Sequence, residues 1–184
     1  MEIKEIGSYT VLVDGEKLVK SLYEKKEDTK EITDITTICK NSFKNVSTLE
    51  NLSIGAKESL TIEESAFENC SKLKTLVLDM KEKVDMEEKV DMKEKDLLIQ
   101  SDAFKNCNEL DCVYIKSANK ITIEKDAFSQ CYNLRVVILE LAPESTDIEI
   151  RESVFESSTD LCIISNSSDV KNYCNEHEIE YKGL

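Results

Sequence analysis

All five phenylalanines of the chain fall in one phase, and that regularity constrains the fold more than any other feature. They are Phe43, Phe67, Phe104, Phe128 and Phe155, at spacings of 24, 37, 24 and 27 residues. An apolar residue lies seven before each Phe and Ile five before it. A small residue, often Cys, follows three after, Leu six after, and further apolar residues nine and eleven after. Copies two to four keep the frame in full: Leu60, Ile62, Phe67, Cys70, Leu73, Leu76, Leu78; Leu97, Ile99, Phe104, Cys107, Leu110, Val113, Ile115; Ile121, Ile123, Phe128, Cys131, Leu134, Val137, Leu139. Thr36, Ser158 and Asn166 break it in the outer copies, as expected where a coil has a single neighbour.

The frame dictates one circuit of chain. Leu73-x-x-Leu76-x-Leu78 alternates and reads as a strand, and Leu60-x-Ile62 as a second, shorter one. Between them the Ser65–Cys70 stretch is polar with one apolar side, which predicts a helical turn or short helix with Ser65 as its N-cap. Such a circuit buries its apolar residues only by stacking on the next. Stacked copies build two parallel sheets around a shared core in which each Phe meets the Phe of the following copy. Cys70, Cys107 and Cys131, beside Asn69, Asn106 and Gln130, are expected as small buried thiols with a polar neighbour that bonds the turn, rather than as metal ligands.

The motifs SAFENCSKLKTLVL, DAFKNCNELDCVYI and DAFSQCYNLRVVIL resemble the BspA-like leucine-rich repeats, also called the Treponema pallidum type. The resemblance runs from about Ile35 to Leu184. It implies an α/β-type repeat solenoid: a short right-handed leucine-rich-repeat array with two parallel β-sheets, short helical turns and an N-terminal hairpin cap. It also implies a final short helix and strand in SSDVKNYCNEHEIEYKGL, and a role in adhesion and protein–protein contact at a bacterial or protist surface. The expected division is a capping segment at 1–34, five repeats at 35–168 with an insertion at 79–95, and a capping helix and strand at 169–184.

Two segments lie outside the repeat. Tyr9–Val13 and Glu16–Val19 flank Asp14-Gly15, a hairpin signal, placed to cover the open edge of the first coil, with 173–178 covering the other end. Leu78 to Lys95 holds three near-copies of six residues, LDMKEK, VDMEEK and VDMKEK, which account for the 37-residue spacing. Met80, Val84, Met86, Val90 and Met92 then share one side of an extended chain, so the expectation is a projecting β-hairpin, with a solvated loop as the alternative.

Composition excludes several function classes. The formal net charge of −14 argues against nucleic acid and anionic membrane surfaces as partners. No stretch reaches the ~20 apolar residues of a membrane span. The opening residues have no signal-peptide h-region and no anchor is detected, which places the chain in the cytoplasm by sequence, against a cell-surface or secreted location by resemblance. Seven Cys form no C-x-x-C pair. His177 is the only histidine and, with Cys174, supplies too few ligands for a metal site. No phosphate loop is present. The expectation is therefore no enzyme, no catalytic residue, no metal and no cofactor.

The positions eight and ten after each Phe should point outward: Asn51 and Ser53, Thr75 and Val77, Cys112 and Tyr114, Val136 and Ile138, Ile163 and Ser165. Val77, Tyr114, Val136, Ile138 and Ile163 then form an apolar stripe where a solvated sheet would be polar, and such stripes usually mark interfaces. Three occupants remain open: another protein (a host protein among them), a second copy giving a homodimer or self-associating structural protein, or the chain's own insertion. The other sheet exposes Thr37, Thr61, Leu98, Thr122 and Glu149, a mostly polar row.

Overall fold

The computed structural model describes residues 2–6, 9–14, 17–24, 29–33, 35–56, 59–80, 95–142 and 147–184, with side chains from residue 35 onward, Ser117 excepted. Sheet A contains, in spatial order, β1 (Glu2–Ile6), β2 (Tyr9–Asp14), β3 (Lys17–Glu24), β5 (Thr37–Ile38), β7 (Leu60–Ile62), β9 (Asp96–Ile99), β11 (Lys120–Ile123) and β13 (Asp147–Ile150). Sheet B contains β4 (Thr29–Thr33), β6 (Asn51–Gly55), β8 (Thr75–Asp79), β10 (Cys112–Ala118), β12 (Val136–Leu141), β14 (Cys162–Ser165) and β15 (Glu180–Gly183). Helix α1 (Ser168–Glu176) lies between β14 and β15 in the chain. From β3 onward every pairing in sheet A is parallel, as is every pairing in sheet B. The chain thus passes alternately between the two sheets, one strand of each per coil.

The core is the space between the sheets. Leu60, Ile62, Phe67, Leu73, Leu76 and Leu78 are fully buried, and their equivalents in the next two copies are at most 1% exposed. The phenylalanines stack as one column. Centroids are 4.9 Å apart for Phe43–Phe67, 5.0 Å for Phe67–Phe104 and 5.1 Å for Phe104–Phe128, with rings within 11° of parallel. That spacing is the strand repeat of ~4.8 Å, so register and ring stacking reinforce each other. Each stacked pair contributes ~0.5–1.5 kcal/mol beyond its area burial.

The segments between sheets are not helices. Alternate N–H groups close tight turns within the coil (Ala66 to Glu63 O, Glu68 to Ser65 O, Cys70 to Phe67 O). The intervening ones reach the next coil: Ser65 to Ser101 O, Phe67 to Ala103 O, Asn69 to Lys105 O. Ser65, expected as an N-cap, instead takes a left-handed φ of 57° and joins this ladder. Asn69, Asn106 and Gln130 are likewise left-handed, with φ of 63°, 60° and 60°, a conformation that short polar side chains tolerate best. Their backbone N–H groups bond the adjoining turn, and the Asn69 side chain also donates to Asn45 Oδ1 of the preceding coil at 2.8 Å. The thiols make bonds of their own: Cys70, Cys107 and Cys131 donate to the carbonyls of Phe43, Phe67 and Phe104 at 3.3, 3.4 and 3.2 Å.

The expected hairpin is the β2–β3 antiparallel pair, and β1 adds a third strand to it. Beyond a hairpin, β3 and β4 run parallel to β5 and β6, so the two ladders extend upstream of the first Phe. The expected insertion hairpin falls on 81–94, outside the described residues. At its flanks Met80 is fully buried, and Lys95 N–H donates to the Asn119 side chain at 3.2 Å.

Candidate partner-binding face

Parallel in-register pairing turns each outward strand position into a column across sheet B. One column reads Ser53, Val77, Tyr114, Ile138, Ile164, Lys182 and its neighbour Asn51, Thr75, Cys112, Val136, Cys162, Glu180. Val77, Cys112, Tyr114, Val136, Ile138, Cys162 and Ile164 are all partly exposed. They form a continuous apolar area of four strands, polar toward β6 and ending at β15 in the ion pair of Lys182 with Glu180, 3.1 Å. Four of the five residues expected on this face are there.

Ile163 is not. It is fully buried, as is Ser165, whose hydroxyl donates to Leu139 O at 2.8 Å. The cause is one missing residue. Two residues separate Leu73 from Leu76, Leu110 from Val113 and Leu134 from Val137, but Cys162 alone separates Leu161 from Ile163. Val137 therefore pairs with Ile163 and Ile138 with Ile164. Side chains alternate faces, so a slip of one exchanges inside for outside. A readable signal was present in the sequence. The first four copies carry a charged residue directly after the frame Leu: Glu50, Lys74, Asp111, Arg135. These pair between coils, Lys74 with Glu50 at 2.8 Å and Arg135 with Asp111 at 2.6 Å. The fifth copy lacks that residue.

Paired charges border the apolar area on both sides. Along one side run the two ion pairs just named. Along the other, Asp79, Lys116 and Glu140 form a third column. Lys116 Nζ lies 3.2 Å from Asp79 and 5.3 Å from the centre of the Tyr114 ring. The Tyr114 hydroxyl donates to Glu140, which pushes the phenol up to about 12. Tyr114 is thereby fixed at both ring and hydroxyl, a preorganised aromatic in the centre of the face. Burial raises the Cys112 thiol and Asp111 adds to it, so Cys112 is a small apolar contact without the lowered pKa of an activated cysteine.

The opposite sheet behaves as its sequence implies. Thr37, Thr61, Leu98, Thr122 and Glu149 align as one column, partly exposed and polar but for Leu98. His177 lines a cavity of 530 Å³ between the last turn and α1. Its Nδ1 is 2.9 Å from Tyr173 O and its ring stacks on Tyr173 at 4.1 Å. Cys174 is fully buried, and burial pushes its thiol up to about 11; His177 is exposed and serves the helix terminus. Among the described residues no three His, Cys, Asp or Glu side chains are grouped to hold a metal ion, and no helix is long and apolar enough to cross a membrane.

No curated protein and no solved structure matches the chain. A family model does, the one described as BspA type leucine rich repeat region, in six copies over residues 21–89 and 85–177. The match begins within the segment where β3 and β4 enter the parallel ladders, upstream of the first Phe copy. Leucine-rich repeats generally mediate protein–protein interaction. With the phase-locked Phe column, the paired parallel sheets and a family match over most of its length, the chain belongs to the BspA-type leucine-rich-repeat family.

Proposed function

We propose that this protein is a binding module for another protein, working through the outer face of sheet B and without catalysis. Val77, Tyr114, Val136 and Ile138 form the contact, with Ile164 in place of Ile163 and with Cys112 and Cys162 alongside. The observation that carries the reading is the contrast between the two outer faces: sheet B offers adjacent apolar columns, sheet A a polar one. A contiguous apolar patch bordered by charges is the signature of an interface, and charges already paired within the chain cost a partner little to approach. Adhesion, with a host or cell-surface protein as the ligand, is the finer form of this proposal; the 1–34 and 169–184 segments act as caps of the array.

The test is quantitative affinity capture with three baits: wild type, a Val77→Glu, Ile138→Glu variant, and a Thr61→Glu, Thr122→Glu variant on the opposite sheet. Folding of each is checked by thermal unfolding. A partner enriched on wild type and the sheet A variant, and lost on the sheet B variant, supports the proposal. Equal enrichment on all three baits sinks it. If the protein alone gives a concentration-dependent mass that the sheet B variant abolishes, the face serves self-association instead.

A further inference from the structure

The two sheets end differently. Sheet B receives an extra strand, β15, beyond the last repeat, whereas among the described residues sheet A stops at β13. In a parallel ladder a residue directs its N–H and C=O to the same neighbour, and successive residues alternate sides. Arg151 N–H donates to Ile123 O, so Asp147, Glu149 and Arg151 face β11. The N–H and C=O groups of Ile148 and Ile150 face the open edge, where they meet no partner among the described residues.

Helix α1 runs past this edge and leaves a cavity of 260 Å³ beside it. Ile148, Ile150, Val170 and Tyr173 supply an apolar lining, and Asp169 and Glu176 lie on the helix side of it. These two acids are seven residues apart and so share one side of α1, ~10 Å from end to end. Neither has an ion-pair partner among the described residues, whereas Glu149 on the strand is held by Arg151 at 2.9 Å. A strand edge unpaired among the described residues, a groove with four apolar residues in its lining and two unneutralised carboxylates therefore coincide at one place.

We propose that this edge takes an extended segment of a partner protein as an added strand of sheet A. The segment's main chain bonds to Ile148 and Ile150. An apolar side chain enters the groove over Ile148, Ile150 and Val170, and Lys or Arg two residues to either side meet Asp169 and Glu176. Backbone pairing supplies binding and the alternate side chains supply selection, as in other strand-addition complexes. This site is separate from the outer face of sheet B and does not depend on it.

The probe is a labelled peptide, Thr-Lys-Thr-Val-Thr-Lys-Thr with blocked ends, titrated into the full chain at low ionic strength and followed by fluorescence anisotropy. Two further peptides carry N-methyl groups at all odd or at all even positions. Saturable binding below ~1 mM is expected, with one N-methylated series, and not the other, at least ~10-fold weaker, because alternate N–H groups point at β13. The Asp169→Lys, Glu176→Lys variant, exposed on α1, should bind at least ~3-fold more weakly and lose most of the salt dependence. Absence of binding up to ~1 mM, or equal binding by both N-methylated series, overturns the proposal, as does unchanged affinity of the charge-reversed variant. Self-association that blocks the peptide also overturns it, since the occupant is then a second copy.

Discussion

Copies two to four and copy five are built on one plan, and their differences show what the plan depends on. In the inner copies the rings stack at 5.0 and 5.1 Å, 3° from parallel; the last step, Phe128 to Phe155, opens to 5.8 Å and 19°. The inner thiols bond the carbonyl of the preceding Phe, whereas Ser158, in the thiol position, donates to Cys131 O at 3.2 Å. At the inner turns a carboxylate or amide four before each Phe accepts a backbone N–H of the coil before: Glu63 from Lys40, Gln100 from Glu64, Glu124 from Ser101. Arg151 holds that position in the last copy and pairs with Glu149 instead. A repeat with neighbours on both sides is held to register by many contacts at once. In the last copy β14 still has a strand on either side, but among the described residues no further coil follows its β13 or its Phe155 ring, and this copy tolerates the lost residue that turns Ile163 inward.

The largest effect that sharpens this comparison comes from the ring column. Phe104→Ala should cost ~3–5 kcal/mol, the usual range for a fully packed phenylalanine, and Phe155→Ala at least ~1 kcal/mol less, because its column is looser. Urea denaturation at constant m-value reads both; equal losses would mean that the last copy is packed as tightly as the rest.

Next comes the register of the last coil. Ile163→Ala should destabilise by ~2–4 kcal/mol and Ile164→Ala by less than ~1 kcal/mol. The reverse order would restore the frame counted from Phe155 and return Ile163 to the surface.

The thiol column sets a pH dependence. Burial pushes Cys131 up from 9.0 to about 12 and Cys107 is also held well above its ordinary value, mainly by the neighbouring Cys70 thiol and by burial. Below pH 9 these thiols are protonated in both folded and unfolded chains and the stability is intact. Between about 9 and 12 only the unfolded chain ionises, so stability falls as pH rises. The slope is on the order of 1 kcal/mol per pH unit for each such thiol. Cys131→Ser, which copies the last repeat's Ser158, should flatten the alkaline limb of a stability-versus-pH curve; an unchanged limb would show that the thiols do not set it.

A smaller effect belongs to the first copy. Ser42 stands where Ala66, Ala103 and Ala127 stand in the inner copies, is 4% exposed, and its hydroxyl finds no partner among the described residues. Ser42→Ala should stabilise by ~1 kcal/mol by removing an unsatisfied buried hydroxyl. A loss on calorimetric comparison would reveal a bond that the hydroxyl does make.

Much of this was legible in the sequence because a solenoid converts sequence phase directly into spatial columns. The Phe column, the buried Leu and Ile of copies two to four, the burial of the three thiols and the outward position of Val77, Tyr114, Val136 and Ile138 all follow from one frame. The frame could not show that Ser65–Cys70 is a ladder of tight turns with Ser65 and Asn69 in the left-handed region, because tight turns and a helical turn present the same apolar face over six residues. It also misplaced Ile163, since counting forward from Phe155 assumes a loop length that only neighbouring coils enforce. The short terminal helix and strand were legible, but the edge of β13 beside α1, unpaired among the described residues, was not; which sheet gains the extra strand is decided by pairing, not by pattern.

The central claim, that a protein partner covers the outer face of sheet B, can be read with the chain's own thiols. Cys112 and Cys162 lie on that face, partly exposed, in register on either side of Val136. Their alkylation rates would be measured by mass spectrometry with and without a captured partner, beside a Thr61→Cys reporter on sheet A. Slowing by ~5-fold or more at Cys112 and Cys162, with the sheet A reporter unchanged, is the predicted result for a site covered in the complex. Unchanged rates at both native thiols in a saturated complex would contradict the account, and would place the partner elsewhere on the molecule.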